Sequence, residues 1–372
     1  MTLAIFTLVQ HIENQGKYFG YAPYVREMDI WNSHFEKVIV VAPLSDTTEI
    51  TDIDIPYTHP NISLVIMPVF KLKSVVGVFK LLFNLPIILY RMFSVMRKAD
   101  HLHFRSPSNI AAIAALVQLF FPKKNKTMRY AGNWDPKSEQ PLGYRFQKNI
   151  YSNPFWSKNM TALVYGAWPN ETKNMRSFFA ASFNNEEKEE FKERDYSKVL
   201  NFIFIGTLVE GKQPLMAINI IEGLNKLGLK CRLEIFGDGK LKPLLEKYIK
   251  NNSLRESVSL HGNVNKEKIK ERLKTSHFNI LPSKSEGWPK TLAEGMFFGV
   301  IPISTQISCV PWMLDYGNRG ILISNDLDTA ISEIHSDIKS NDLNKMSEMA
   351  QTWSQQYTIE KQAEEINDIL TE

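Results

Sequence analysis

Residues 278–295 read Phe278-Asn279-Ile280-Leu281-Pro282-Ser283-Lys284-Ser285-Glu286-Gly287-Trp288-Pro289-Lys290-Thr291-Leu292-Ala293-Glu294-Gly295. The apolar run Phe278–Leu281 ends in turn residues, the pattern of a short buried parallel strand. Pro289 suits the first turn of a helix, where a missing N–H costs nothing. Two glutamates stand eight positions apart, so Glu286 falls in the loop above the strand and Glu294 about one turn into the helix. A loop between a strand's carboxyl end and a helix N-terminus is where an open α/β sheet receives its ligand, and helix-start N–H groups favour an anion.

Working outward, the same alternation fills the second half of the chain. Strands are expected at 200–205, 231–236, 257–260, 277–281, 300–304 and 320–323, with helices between them, which argues for a parallel sheet covered on both faces. The first half alternates too. Leu3–Val9 and Lys37–Ala42 read as strands, another ends near Phe104, and Pro23 opens a helix with Tyr24, Met28, Trp31 and Phe35 on one face. Residues 184–198 are highly charged and nearly empty of core residues, and they mark the boundary between two domains. A chain of 372 residues is long for a single core, which agrees with that division.

Composition bounds the class. The chain is 44% hydrophobic and 23% charged with a net charge of +4, an ordinary soluble make-up. Two cysteines, Cys231 and Cys309, are too few for a disulfide framework or a zinc site, and fit a reducing cytosol. Met1–Gln10 is apolar but short and lacks a basic leader, so it reads as a first buried strand instead of a signal peptide.

The chemistry that the 286–294 stretch suits is the binding of a diphosphate-linked ligand. A diphosphate fits the backbone N–H groups along Gly287-Trp288-Pro289-Lys290, with the glycine permitting close approach and the Lys290 cation beside it. Glu294 can accept hydrogen bonds from the vicinal hydroxyls of a ribose, each worth about 1.5–3 kcal/mol to a charged acceptor. Glu286 then faces the group on the second phosphate.

Phe202-Ile203-Phe204-Ile205-Gly206 is a strand entering a glycine turn, followed by Thr207 to Gln213. Gly206-x4-Gly211-Lys212 is close to a Walker A loop, but Gln213 stands where Ser or Thr must hold magnesium. Gly237-Asp238-Gly239 lacks the third glycine of a dinucleotide fingerprint and serves either a tight turn or a ligand contact. Asp52-Ile53-Asp54 has the spacing of a metal-binding Asp-x-Asp pair, yet no apolar strand precedes it, and it reads as surface.

Residues 285–295 resemble the Glu-x7-Glu signature of the retaining family-4 glycosyltransferases. The resemblance covers essentially the whole C-terminal half, and the N-terminal half more loosely. It implies the GT-B fold: two Rossmann-like doubly wound parallel-sheet domains with an interdomain cleft. The expected division is 1–190 for the acceptor domain and 198–345 for the nucleotide-sugar domain, with helices at 346–372 crossing back. It further implies that Glu286 lies by the donor sugar, that Glu294 holds the ribose, and that Gly206 and Lys212 contact the diphosphate. Thr207 replaces an arginine of the family pattern, and Lys290 is the residue placed to compensate. By the same resemblance Gly237, Asn263 and Val264 complete the donor site, the last two in the His261-Gly262-Asn263-Val264 loop under the nucleobase.

On the acceptor side, Asp100-His101-Leu102-His103-Phe104-Arg105 resembles the Asp-x-x-His strand end of the family's first domain, which implies that His103 and Arg105 face the cleft, His103 as a catalytic group. A histidine usual near residue 133 is missing, with Asn133, Arg129 or Tyr130 as substitutes, and the loop from Gly16 to Tyr21 frames the acceptor. The implied function is retaining transfer of a hexose from a UDP or GDP sugar to a glycan or polyprenyl-linked acceptor, without cofactor, metal or nucleic-acid partner, in bacterial polysaccharide assembly. Two alternatives use the same fold: a nucleotide-sugar epimerase and a non-catalytic binding scaffold. Residues 71–98 hold six basic residues and no acid among large apolar side chains. They read as a pair of helices packed on the sheet, as a segment resting on the anionic inner leaflet, or as both.

Overall fold

The computed structural model describes residues 1–51, 53–68, 75–169 and 171–372. Asp52 of the Asp-x-Asp pair and residues 71–74 of the basic segment lie outside them. The chain divides into two compact units, Met1–Phe178 with Ala363–Glu372, and Phe179–Gln362.

In the first unit the strands are β1 (Thr2–Phe6), β2 (Ile12–Asn14), β3 (Lys17–Tyr21), β4 (Lys37–Ala42), β5 (Asp54–Pro56), β6 (Ile62–Ile66), β7 (His101–Ser106), β8 (Asn125–Tyr130), β9 (Met160–Tyr165) and β10 (Met175–Phe178). Seven of them form a parallel sheet in the order β10-β9-β8-β7-β1-β4-β6. Alternate residues of β1 feed opposite faces. Ala4 and Phe6 pack with Phe104, Met128, Met92 and Met96, while Leu3 and Ile5 pack with Trp31, Val38 and Val40. Ile366 and Ile369 of the last helix are buried in that second cluster, which is why residues 363–372 belong to this unit.

The glycine loop expected at 16–21 is instead part of a small antiparallel sheet, β2-β3-β5. Gln15 and Gly16, both at positive φ, form the two-residue turn between β2 and β3. Residues 75–98 form one helix, Val75–Lys98, running through Pro86 instead of the expected pair. Its inner face, Ile88, Met92, Val95 and Met96, is in the core.

The second unit carries β11 (Leu200–Ile205), β12 (Cys231–Phe236), β13 (Val258–Gly262), β14 (Phe278–Leu281), β15 (Ile301–Thr305) and β16 (Ile321–Ile323), all parallel, in the order β13-β12-β11-β14-β15-β16. This is a doubly wound sheet whose order reverses between β11 and β14. The unit begins and ends elsewhere than the charged stretch suggests. Residues 179–190 and 346–362 group with it, because Phe183 packs edge-on or tilted against Phe297 and Phe298, and Trp353 against Tyr357 and Trp312. The charged stretch 184–198 lies inside the second unit, where Glu187 and Arg194 bond to its helices and loops, and the hydrophobic anchor at Phe183 precedes it.

Candidate functional site

The switch point between β11 and β14 brings two loops together, 206–213 and 282–290. Lys284 N–H donates to the Gly211 carbonyl at 2.8 Å, and the Gln213 side-chain amide donates to the Pro282 carbonyl at 2.6 Å and to Asn325 Oδ1 at 2.7 Å. Gln213 adopts a left-handed conformation as the residue before the Pro214–Lys226 helix, so the position where a Walker loop places a hydroxyl here ties the two loops to each other. No sequence motif announces that role.

These ties set Lys212 against Glu286, with Nζ donating to Oε1 at 2.5 Å. Glu286 is 8% exposed and Lys212 about a third exposed, so the pair sits at the mouth of the loops with its cation reachable from solvent. Both residues singled out from sequence for this chemistry therefore meet at one point. An anionic ligand reaching Lys212 competes directly with the Glu286 carboxylate, which leaves the carboxylate for a hydroxyl on that ligand.

Beyond Glu286 the helix Lys290–Phe297 begins one residue later than expected, with Pro289 at the N-cap and its carbonyl accepting from Leu292 and Ala293 at 2.9 and 3.3 Å. No side chain caps this start. Lys290 puts a cation on the first helical residue, where the dipole disfavours one by about 0.3–1 kcal/mol and favours an anion. The helix lies close on β14 because Gly295 has no side chain: a Cβ there would be 2.9 Å from Asn279 Nδ2, which donates to the Thr291 carbonyl at 2.6 Å.

Glu294, one turn along, accepts a 2.6 Å hydrogen bond from Ser182 Oγ. Burial pushes its carboxyl above the usual range, against the opposing pull of Ser182, Lys290 and Lys266. Lys266, which begins the Lys266–Thr275 helix, donates to the Ser182 carbonyl at 2.6 Å, so Ser182 is held by both helices. Ser182 escaped the sequence reading since its only signal is a small residue in Ala180-Ala181-Ser182. The Trp288 ring packs into a cluster with Trp312, Trp353 and Tyr357. Gly287 is held by its carbonyl, which accepts from Ser308 Oγ and Cys309 Sγ. Burial raises the Cys309 thiol to about 12, which keeps it protonated.

Gly206 and Thr207 lead from β11 into this loop, Thr207 exposed. Gly237 is explained by packing: at φ +134° its Cβ would stand 2.0 Å from the Gly206 carbonyl oxygen, and that of Gly239 2.6 Å from the Leu208 oxygen. The Gly-Asp-Gly turn thus supports the Gly206 loop from below. Asn263 and Val264 are exposed just past β13, while His261 is pinned by Phe236 stacking at 4.6 Å and by Glu234 at 3.1 Å.

In the first unit the structure corrects one expectation. His103 does not face an open surface: it is fully buried, bonded to Thr127 Oγ1 at 2.8 Å and 4.5 Å from the Trp31 ring, and burial holds its imidazole well below the ordinary value. Alternation along β7 turns residue 103 into the face covered by the Ala22–Asn32 helix. Arg105, two residues on, pairs with Glu27 at 2.6 Å, and Arg129 from β8 reaches the same carboxylate oxygen at 3.3 Å while its guanidinium lies 4.3 Å from the Tyr165 ring. Two guanidiniums and one carboxylate share this spot at the carboxyl ends of β7 and β8. Asn133 shapes the following turn, its Oδ1 accepting from Asp135 N–H at 2.8 Å. Gly16 is at the hairpin turn, and Tyr21, half exposed, ends β3. Unforeseen from sequence is a cavity of about 680 Å³ past the ends of β8 and β9, lined by Trp134, Gln140, Arg145, Lys148, Asn149 and Trp168 among others.

Two parallel doubly wound units, one with a cation, a carboxylate and an uncapped helix start at its switch point, define a two-domain α/β architecture with a candidate anion site. Residues 185–370, 186 of the 372 and so half the chain, match the family model Glycosyl transferases group 1, and the chain belongs to that family. Among curated relatives, an uncharacterized glycosyltransferase of Methanocaldococcus jannaschii is 26% identical over 196 residues, 51% of this chain and 52% of that protein. The putative colanic acid biosynthesis glycosyltransferase WcaL of Salmonella typhimurium is 28% identical over 130 residues, 33% of this chain and 32% of the relative. The chain therefore spans about half the length, or less, of these relatives. Of solved structures, HepE of Anabaena in complex with UDP and glucose matches with a TM-score of 0.67 at 11% identity, over 100% of this chain and 99% of that one. WaaG, a glycosyltransferase involved in lipopolysaccharide biosynthesis, matches at 0.62 and 12% identity, with both chains fully covered. These likenesses show the GT-B fold.

Proposed function

We propose that the chain transfers a hexose, with retention of anomeric configuration, from a nucleoside-diphosphate sugar to a hydroxyl of a glycan or polyprenyl-linked acceptor in polysaccharide assembly. The observation that carries this reading is the Lys212–Glu286 pair at the β11/β14 switch point, with Glu294 one turn into the helix that starts beside it. The family membership, and the UDP and glucose held by HepE in its complex, support a nucleotide-sugar donor.

In this reading Glu294 accepts from the ribose hydroxyls, exchanging its Ser182 bond. The diphosphate lies between Lys212, Lys290 and the backbone of 287–290, where charge developing on the leaving group is stabilised by cations and helix dipole. Glu286, released from Lys212, orients the sugar. The acceptor oxygen forms the new bond to the anomeric carbon on the face from which the phosphate oxygen departs, and that phosphate oxygen takes the acceptor's proton. Such a route uses no divalent cation or cofactor. Arg105 and the turn at Asn133 belong to the acceptor side, and the acceptor is met at a membrane's inner face.

Titration calorimetry with UDP, GDP and dTDP tests the donor site. One nucleoside diphosphate is expected to bind, with affinity falling at least about tenfold in Glu294→Ala, the loss of one or two hydrogen bonds to a charged acceptor. Lys212→Ala is expected to lower kcat by about a hundredfold or more, as for other charge-stabilising groups. Binding of none of the three, or binding indifferent to Glu294, sinks the reading and favours a scaffold. Turnover of the donor to an epimer without any acceptor would favour the epimerase.

A further inference from the structure

Among its described side chains the Val75–Lys98 helix is apolar on two sides, and the core uses one of them. At 100° per residue, positions 79, 82, 83, 90 and 93 share the face opposite Ile88, Met92 and Val95. That outer face carries Phe79, Leu82, Phe83, Tyr90 and Phe93, all exposed, Phe83 to 87% and Tyr90 to 70%. It continues beyond the helix, because the ring of Phe120, itself 74% exposed, meets the Phe93 ring at 6.4 Å. A contiguous exposed stripe with this many aromatic and aliphatic side chains is the mark of a docking surface and not of scattered surface residues.

The charge beside the stripe says what docks there. None of the 24 helix residues is acidic, and Arg97 and Lys98 in the last turn, with Lys123 just past Phe120, are exposed cations. A second copy meeting the same face would bring only further cations against these. An anionic bilayer offers both complements at once, acyl chains for the rings and phosphates for the cations. Among the described residues no helix is long and apolar enough to cross a membrane.

We infer that the outer face of the Val75–Lys98 helix, extended by Phe120, seats the first unit on an anionic lipid surface, with the helix lying in the plane of the interface. This extends the membrane half of the reading above and does not depend on the donor site. The seat needs no binding energy from the core, since the inner face stays packed on the sheet.

Flotation of the full chain with phosphatidylcholine vesicles, with and without phosphatidylglycerol, tests it. Binding is expected only or mainly with phosphatidylglycerol, and weakened by high salt. Phe83→Glu with Tyr90→Ser should lower binding about tenfold or more. Arg97→Gln with Lys98→Gln should lower it about tenfold on anionic vesicles only. Thermal melts of each variant separate loss of binding from loss of fold. No flotation of the native chain, or flotation unchanged in Phe83→Glu, overturns the inference. So does a native dimer, seen by sedimentation, that the same substitution dissociates without any vesicle binding. Failed flotation with intact nucleotide binding overturns this inference alone, and the reverse pattern overturns only the donor reading.

Discussion

Glu294 is a carboxylate that the fold buries against its own ionisation. Its raised carboxyl means that burial disfavours the charged form more in the folded chain than in the unfolded one. A group whose folded value lies above its unfolded value contributes stability at low pH and loses it as pH rises through the folded value. Glu294→Gln keeps the Ser182 hydroxyl supplied with an acceptor and removes the charge. Its Tm at neutral pH is expected to exceed that of the native chain, and the difference to vanish under acid conditions, while its nucleotide affinity falls. A melting series across pH checks this, and an equal or lower Tm at neutral pH refutes it. Lys290 has the same character, a cation at a helix start that becomes favourable only with an anion beside it.

At the scale of elements, the loop after β11 rests on a close backbone fit as well as on the Gln213 side chain. The Gly237 turn touches the Gly206 carbonyl so closely that any Cβ overlaps it, at a φ that suits glycine alone. Gly237→Ala is expected to cost about 2–4 kcal/mol or to push the Gly206 loop out of place. Urea unfolding measures the first, and a loss of nucleotide affinity with Lys212 and Glu294 intact reports the second. The glycine pair was legible in the sequence as a turn at a strand end, but not the neighbour that demands it. The small β2-β3-β5 sheet escaped for a related reason: strands of three to five residues carry too little periodicity to separate from a glycine loop.

Across the whole molecule the buried histidines set the response to acid. His11 and His101 are lowered to about 4 and His103 well below its ordinary value, in each case chiefly by burial in the first unit. The unfolded chain binds these protons near the ordinary value of 6.5 and the folded chain does not, so stability falls as pH drops from about 6.5 towards 4. Each histidine contributes up to about 1.4 kcal/mol per pH unit in that window. His277 and His34, also lowered by burial, act in the same sense, so chemical unfolding at stepped pH should show stability rising with pH across that window, the slope reduced by up to one proton in His103→Gln if that variant folds, or in His101→Gln. A flat profile there would contradict the burial of these rings.

What the sequence determined by itself is the alternation and its punctuation. The six strands of the second unit, the loop bearing Glu286 and the helix bearing Glu294 stand within a residue or two of where the apolar runs, Gly and Pro place them, since these are local signals. Lys212 stood out only through the resemblance to a family pattern, not through its own surroundings. Only the tertiary structure decided that Lys212 and Glu286, 74 positions apart, form a pair, that Ser182 bonds Glu294, that Gln213 ties two loops, and that His103 faces inward. Which strands lie side by side, and which face of a strand is covered, follows from how hydrophobic surfaces close on one another across the chain. A sequence window holds only its own half of each such contact.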